Sequence, residues 1–336
     1  MKTSLPVRLL VNRHRPLVAL ALAFALAPLT SPACSICGCS LISDWATQSI
    51  SEDSGLLASL RFEYISQSNL RSGTGSADTA AFTFPNADEI QLSTISRNTT
   101  LDLDYNSGGA WGLSLSVPFV NRSHSTLAPG ATALTDVSNV DTSHASGLGD
   151  VRVNARYQWL TPGHTSGVIF QLGLKLPTGR FDQNFATGPD AGTPLDRGLQ
   201  LGTGTTDLLA SISAFTRPGL YWSWFAQAQL TQPLDSRDGF RPSSSLGVNL
   251  GVRRLTSGWL TPQLQVNARW DGREAGVNSD VPNSGGTFVY LSPGLTAELG
   301  TRTSAFAFVQ VPLYQRVNGL QLEPRWLLST GVRWKF

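Results

Sequence analysis

Charged residues are scarce in this 336-residue chain, at 14%, and it has one methionine, four histidines and no cysteine after Cys39. Beyond a short N-terminal run it also lacks any apolar stretch near the roughly 20 residues that a membrane-spanning helix needs. The missing runs exclude a helical membrane protein. The low charge, set beside 32 Gly, 19 Pro and 9 Trp, is unlike a soluble globular enzyme. So few histidines leave little material for a general base or a metal cluster.

The N-terminus is where the apolar material is concentrated. Lys2, Arg8, Arg13 and Arg15 precede the run Leu17 to Leu29, and Ser31-Pro32-Ala33 place small residues before Cys34. That order, basic then apolar then small, predicts a secretory signal peptide over 1–33. The leader takes four of the 25 basic residues and none of the 23 acidic ones, leaving 21 against 23 and a mature net charge of −2. The basic balance of the whole chain therefore belongs to the leader, and nothing points to nucleic acid.

Period-two alternation dominates the rest. In "VRVNARYQW" (151–159), Val151, Val153, Ala155, Tyr157 and Trp159 share one face, while Arg152, Asn154, Arg156 and Gln158 share the other. "LYWSWFAQAQL" (220–230) and "WLTPQLQVNARW" (259–270) repeat the pattern. About ten alternating residues with aromatics near the ends is the signature of a membrane β-strand with one face in lipid. Twelve such segments are legible, near 55–66, 94–105, 110–121, 148–159, 167–177, 205–216, 219–231, 244–254, 258–270, 287–298, 303–314 and 325–336. The connections alternate long (67–93, 122–147, 178–204, 232–243, 271–286, 315–324) and short. A β-sandwich has no reason to alternate its loops so, whereas a membrane barrel has long loops outside and short periplasmic turns.

The prediction is thus an all-β, antiparallel transmembrane β-barrel of about twelve strands over 55–336. It is preceded by a periplasmic cysteine-bearing segment, 34–54, in the outer membrane of a Gram-negative bacterium. The closing strand ends on Phe336, with Leu328, Val332 and Trp334 on the same face, as expected of a strand handed to the barrel-assembly machinery in outer-membrane lipid.

Alternation also sorts the charges. The candidates for the lumen lining are Arg61, Glu63, Asp102, Asp104, Arg152, Arg156, Lys175, Asp207, Arg253, Arg269, Glu298, Arg325 and Arg333. Lipid contact at mid-bilayer would cost an Arg or Lys about 2–4 kcal/mol, which alone drives them inward. Phe306 and Phe308 fall on the inward face too, which suits a hydrophobic or aromatic solute.

Four stretches, "GLGDVRVNARY" (147–157), "LGLKLPTGRFD" (172–182), "GTGTTDL" (202–208) and the closing 311–336, resemble the outer-membrane family named for the meta-pathway of phenol degradation. Its members are described as transporters or channels, some encoded near aromatic-degradation genes. The resemblance implies a transport-related barrel that passes small solutes and performs no catalysis. Within the motifs, Gly147, Gly149 and Gly179 are expected to permit tight backbone at the barrel rim, with Pro177 ending strand pairing.

Single features of the sequence also fit other functions. An outer-membrane lipid hydrolase would need a Ser and a His on the lipid-facing wall, and "RSHS" (122–125) and His144 supply both residue types in one long loop. An adhesin-like barrel would use loops such as 83–90 and 182–198. In "CSICGCS", Cys34, Cys37 and Cys39 have three thiols in an oxidising compartment, which fits a disulfide with one thiol over or a soft-metal site for Cu(I) or Zn(II). The latter would link the barrel to metal transport or sensing. No other cofactor is expected.

Overall fold

A computed structural model describes residues 54–255 and 258–336. The expected leader and the three cysteines lie outside them.

The described chain is one antiparallel sheet curled shut. Its strands are β1 (Gly55–Gly73), β2 (Gly75–Ser76), β3 (Ile90–Asn106), β4 (Trp111–Leu127), β5 (Val140–Leu148), β6 (Arg152–Leu160), β7 (Ser166–Lys175), β8 (Asp207–Thr216), β9 (Trp222–Pro233), β10 (Ser245–Arg254), β11 (Leu260–Asp271), β12 (Gly286–Glu298) and β13 (Thr303–Lys335). Strands pair antiparallel in sequence order apart from β2, which pairs only with β1, and β5 and β6, which both pair with β4; β13 pairs back onto β1 from Leu57↔Lys335 to Gly73↔Val317 to close the barrel.

These strands build twelve staves. β2 is a two-residue flap on β1. β5 and β6 together make one stave, pairing with the upper and lower parts of β4 around a break at 149–151. β13 makes two staves, because its first part pairs with β12 and its second with β1. Gly319 turns the chain between them in the left-handed region, φ 59°. The Lys335 amide donates to the Arg302 carbonyl at 2.8 Å, holding the two halves side by side at the other end.

This differs from the expectation at one connection. Residues 315–324 are strand rather than loop, and β1, β4 and β5 likewise run past the predicted strand ends. The residues there are largely buried and paired: Gln315, Gln321, Leu322 and Glu323 are all buried, and the chain pairs with β12 and β1. There the paired hairpin satisfies the backbone better than an open loop would.

Burial confirms which face is which. Along β11, Gln263, Gln265 and Asn267 are buried, while Leu264 and Val266 between them are exposed. A soluble protein buries the opposite set, so the outer wall is built for hydrocarbon. Trp111, Tyr157, Trp159, Trp222, Trp259 and Trp334 are exposed at the end carrying the short turns, forming one aromatic girdle.

Candidate functional site

Polar side chains bond across the inner wall. Asn249 Nδ2 donates to Gln227 at 2.9 Å, Asn267 Nδ2 donates to Asn249 at 2.8 Å, and the Ser292 hydroxyl donates to Asn267 at 2.5 Å. This belt joins β9 to β12 from the inside. At the short-turn end the inner wall carries two apolar clusters among polar side chains such as Gln158, Ser223 and Gln310. Ile169, Phe215 and Phe225 cluster on one side, and Phe306 and Phe308 lie 6.2 Å apart on the other. The Phe225, Phe308 and Phe306 rings lie against Gly251, Gly294 and Gly331, where any Cβ would collide with them.

Between the short-turn end and the long loops is a cavity of about 340 Å³. Its roof comes from the connection between β7 and β8, residues 176–206, of which Arg197, Gly198 and Gln200 to Thr203 line the cavity. Phe185, Leu195 and Leu199 give this segment a small core. The Gln200 side chain ties its two arms together, accepting from the Gln183 amide at 2.8 Å and donating to the Gln183 carbonyl at 2.9 Å.

Buried wall charges hold the segment in place. The Asp150 carboxylate, at the break between β5 and β6, accepts from the Gly179 amide at 3.0 Å. It also accepts from the Thr203 amide at 2.9 Å and the Thr203 hydroxyl at 3.0 Å. Lys175 reaches Asp207 at 2.7 Å and Asp150 at 3.4 Å. Arg122 donates to the Gly198 and Gln200 carbonyls at 2.8 and 3.4 Å. Arg197 is stacked over Phe181, 4.3 Å from the ring centre, and donates to the Thr203 carbonyl at 2.9 Å.

Here the glycine-rich motifs acquire a physical role. Gly149 and Gly179 have no positive φ, so turn geometry is not why they are glycine. A Cβ on Gly179 would lie 2.7 Å from the Gly202 Cα, and one on Gly202 would lie 2.5 Å from the Asp150 carboxylate. "GLGD", "LPTG" and "GTGTTD" are three sides of one contact, centred on Asp150. Sequence reasoning missed Asp150, Arg122, Arg197 and Thr203. For Asp150 and Thr203 the signal was their place inside those motifs.

Most of the predicted lining residues meet in this region. Arg61, Glu63, Asp102, Asp104, Arg152, Lys175, Asp207 and Arg269 border the cavity. Arg61 pairs with Glu63 at 3.0 Å and Asp102 at 3.5 Å, and Arg269 with Asp271 at 2.6 Å. Arg156 is buried beyond the cavity, within electrostatic reach of Asp104 and lying across Gly112. Arg253 is half-buried near the end of β10, and Arg333 lies 5.3 Å from the Phe306 ring centre. Glu298 is exposed at a strand end. Arg325 is exposed beside the register shift between Ile65 and Gln67, away from the cavity.

The histidines fall elsewhere. His124 is buried, its Nδ1 2.8 Å from the Thr94 hydroxyl. Exposed His144 has Nδ1 3.2 Å from Ser123 Oγ. That pair brings together the residue types of a hydrolase, but no third group orients His144 among the described residues. Among these residues no cluster of His, Asp or Glu is placed to hold a metal ion.

A closed antiparallel barrel with an apolar outer wall, an aromatic girdle and a polar, partly roofed lumen is a membrane β-barrel of the outer-membrane kind. The chain belongs to the family described as "Putative MetA-pathway of phenol degradation", whose model matches residues 71–310. Its fold is similar to that of an outer membrane channel from Pseudomonas putida F1 (TM-score 0.64, 12% identity, 84% of this chain and 96% of that one). Looser likenesses include the transport unit of the autotransporter AIDA-I from Escherichia coli (TM-score 0.47, 10% identity, 89% of this chain and 94% of that one). The monoaromatic hydrocarbon channel TodX, in a deltaS2S3 mutant, is another (TM-score 0.47, 11% identity, 91% of this chain and 96% of that one). No curated protein matches the chain.

Proposed function

We propose that the protein is an outer-membrane channel for small solutes, hydrophobic or aromatic ones among them. The observation that carries this reading is the cavity of about 340 Å³ lying between the inner barrel wall and residues 197–203. Its size suits one small molecule rather than a polymer. The Phe306–Phe308 pair below it offers an apolar continuation, and the family's description favours aromatic compounds.

In this reading the short-turn end, with both barrel termini, faces the periplasm, and the long-loop end faces outward. Cys34, Cys37 and Cys39 then precede the first strand on the periplasmic side, where three thiols would suit a soft metal ion. Phe336 ends the strand presented to the assembly machinery, and the outer wall contacts outer-membrane lipid. The protein acts by passage and carries out no reaction. The test is reconstitution of the mature chain into liposomes, with uptake followed for arabinose and for benzyl alcohol. Uptake above that of empty liposomes is expected. Rates equal to the control for both solutes would sink the reading.

A further inference from the structure

We propose that the cavity binds a small amphipathic carboxylate, with Arg152 as its counter-ion. The proposal rests on the channel reading and names the class of solute.

Arg152 is the first inward residue of β6 below the break at 149–151, and it lies opposite Ser116 on β4 and Lys175 on β7. It borders the cavity, and it is exposed there with no hydrogen-bond or ion-pair partner among the described residues. The acids around it are already engaged. Asp150 is held by Gly179, Thr203 and Lys175. Asp207 is held by Lys175 and by Thr205 at 3.1 Å. Asp102 is held by Arg61 and by Ser116 at 2.6 Å. The lumen therefore has a guanidinium with five donors and no internal acceptor, and carboxylates match that fork geometry best.

The surface beside it is apolar. Pro118 and Val120 continue the inward face of β4 next to Ser116, and their side chains lie 3.2 Å from where a Cβ on Gly149 would stand; the Leu201 side chain of the roof lies 3.0 Å from where one on Gly147 would stand. A ligand with its carboxylate on Arg152 would lay its hydrocarbon part on this shelf. A free inorganic anion would use the cation and leave the shelf wet; a neutral hydrocarbon would leave the cation without a partner.

Equilibrium dialysis of the detergent-solubilised, heat-modifiable full chain with labelled benzoate and labelled benzyl alcohol at neutral pH tests the proposal. Benzoate should bind the wild type more tightly than benzyl alcohol does. Arg152→Gln should weaken benzoate about tenfold while leaving benzyl alcohol unchanged, and Arg152→Lys should recover most of the loss. Equal binding of the two probes, no benzoate binding, or benzoate binding indifferent to Arg152→Gln would each overturn it. Arabinose uptake into liposomes separates the two readings. Uptake without benzoate discrimination removes only the carboxylate site, whereas absent uptake removes the channel and leaves the binding result standing.

Discussion

Residues 176–206 and 315–324 contain the same loop-forming residue types, yet one folds into the lumen and the other never leaves the sheet. In 315–324 the backbone amides and carbonyls find partners on β12 and β1, and Asn318-Gly319 makes the turn at the tip. Residues 176–206 are too long to pair as a hairpin of the neighbouring staves. Their backbone bonds largely within the segment, as from the Phe185 amide to the Thr193 carbonyl, and the wall side chains Asp150 and Arg122 fasten it to the barrel. A loop's composition thus says that it can leave the sheet, and the charged side chains of the inner wall decide where it goes.

That contrast can be broken most sharply at the tight contact. Gly202→Val should drive a branched side chain into Asp150 and the Gly179 backbone, undocking the segment. Tryptic cleavage after exposed Arg180 should then accelerate on the order of tenfold or more, since overpacking costs about 1–3 kcal/mol. Next in size is Arg122→Gln, which removes the donor to the Gly198 and Gln200 carbonyls. Loss of a charged hydrogen bond of about 1.5–3 kcal/mol should raise the same cleavage rate severalfold at least, with the barrel's thermal unfolding less affected.

The hairpin should behave differently. Gly319→Val strains a left-handed position at about 1–2 kcal/mol, so it should lower thermal stability modestly and leave cleavage after Arg180 unchanged. A rise in that cleavage would show that the two regions are coupled.

The smallest expected effect is one of pH. Burial, with the nearby Glu89, Asp280 and Glu274 carboxylates, pushes the Asp196 carboxyl up to about 7. A carboxyl raised on folding costs stability as pH rises from its unfolded value, about 3.9, through its folded one. Docking of 176–206 should therefore loosen as pH rises from about 4 to about 7 and change little above that, and Asp196→Asn should flatten that dependence, read again by cleavage after Arg180.

Much of the fold was legible because membrane strands carry their own ruler. Trp159 out and Gln158 in, or Leu264 out and Gln265 in, follow from period two alone. The strand at 315–324 was legible too, since Asn-Gly between alternating residues is a hairpin signal, but Pro324 and the polar composition obscured it. The site was half legible. Period two places Arg152 and Lys175 inward, but it says nothing of Gly179 and Thr203 meeting Asp150 from 29 and 53 residues away. Arg325 shows the opposite failure, because a register shift beside it breaks the parity on which its assignment rested.

Single-channel recording of the mature protein and its Asp150→Asn variant in planar bilayers tests most directly whether the motif contact sets the width of the lumen. If Asp150 holds the segment across the lumen, the variant will show a larger and noisier unitary conductance than the wild type at the same salt. Indistinguishable conductance in the two would contradict that account.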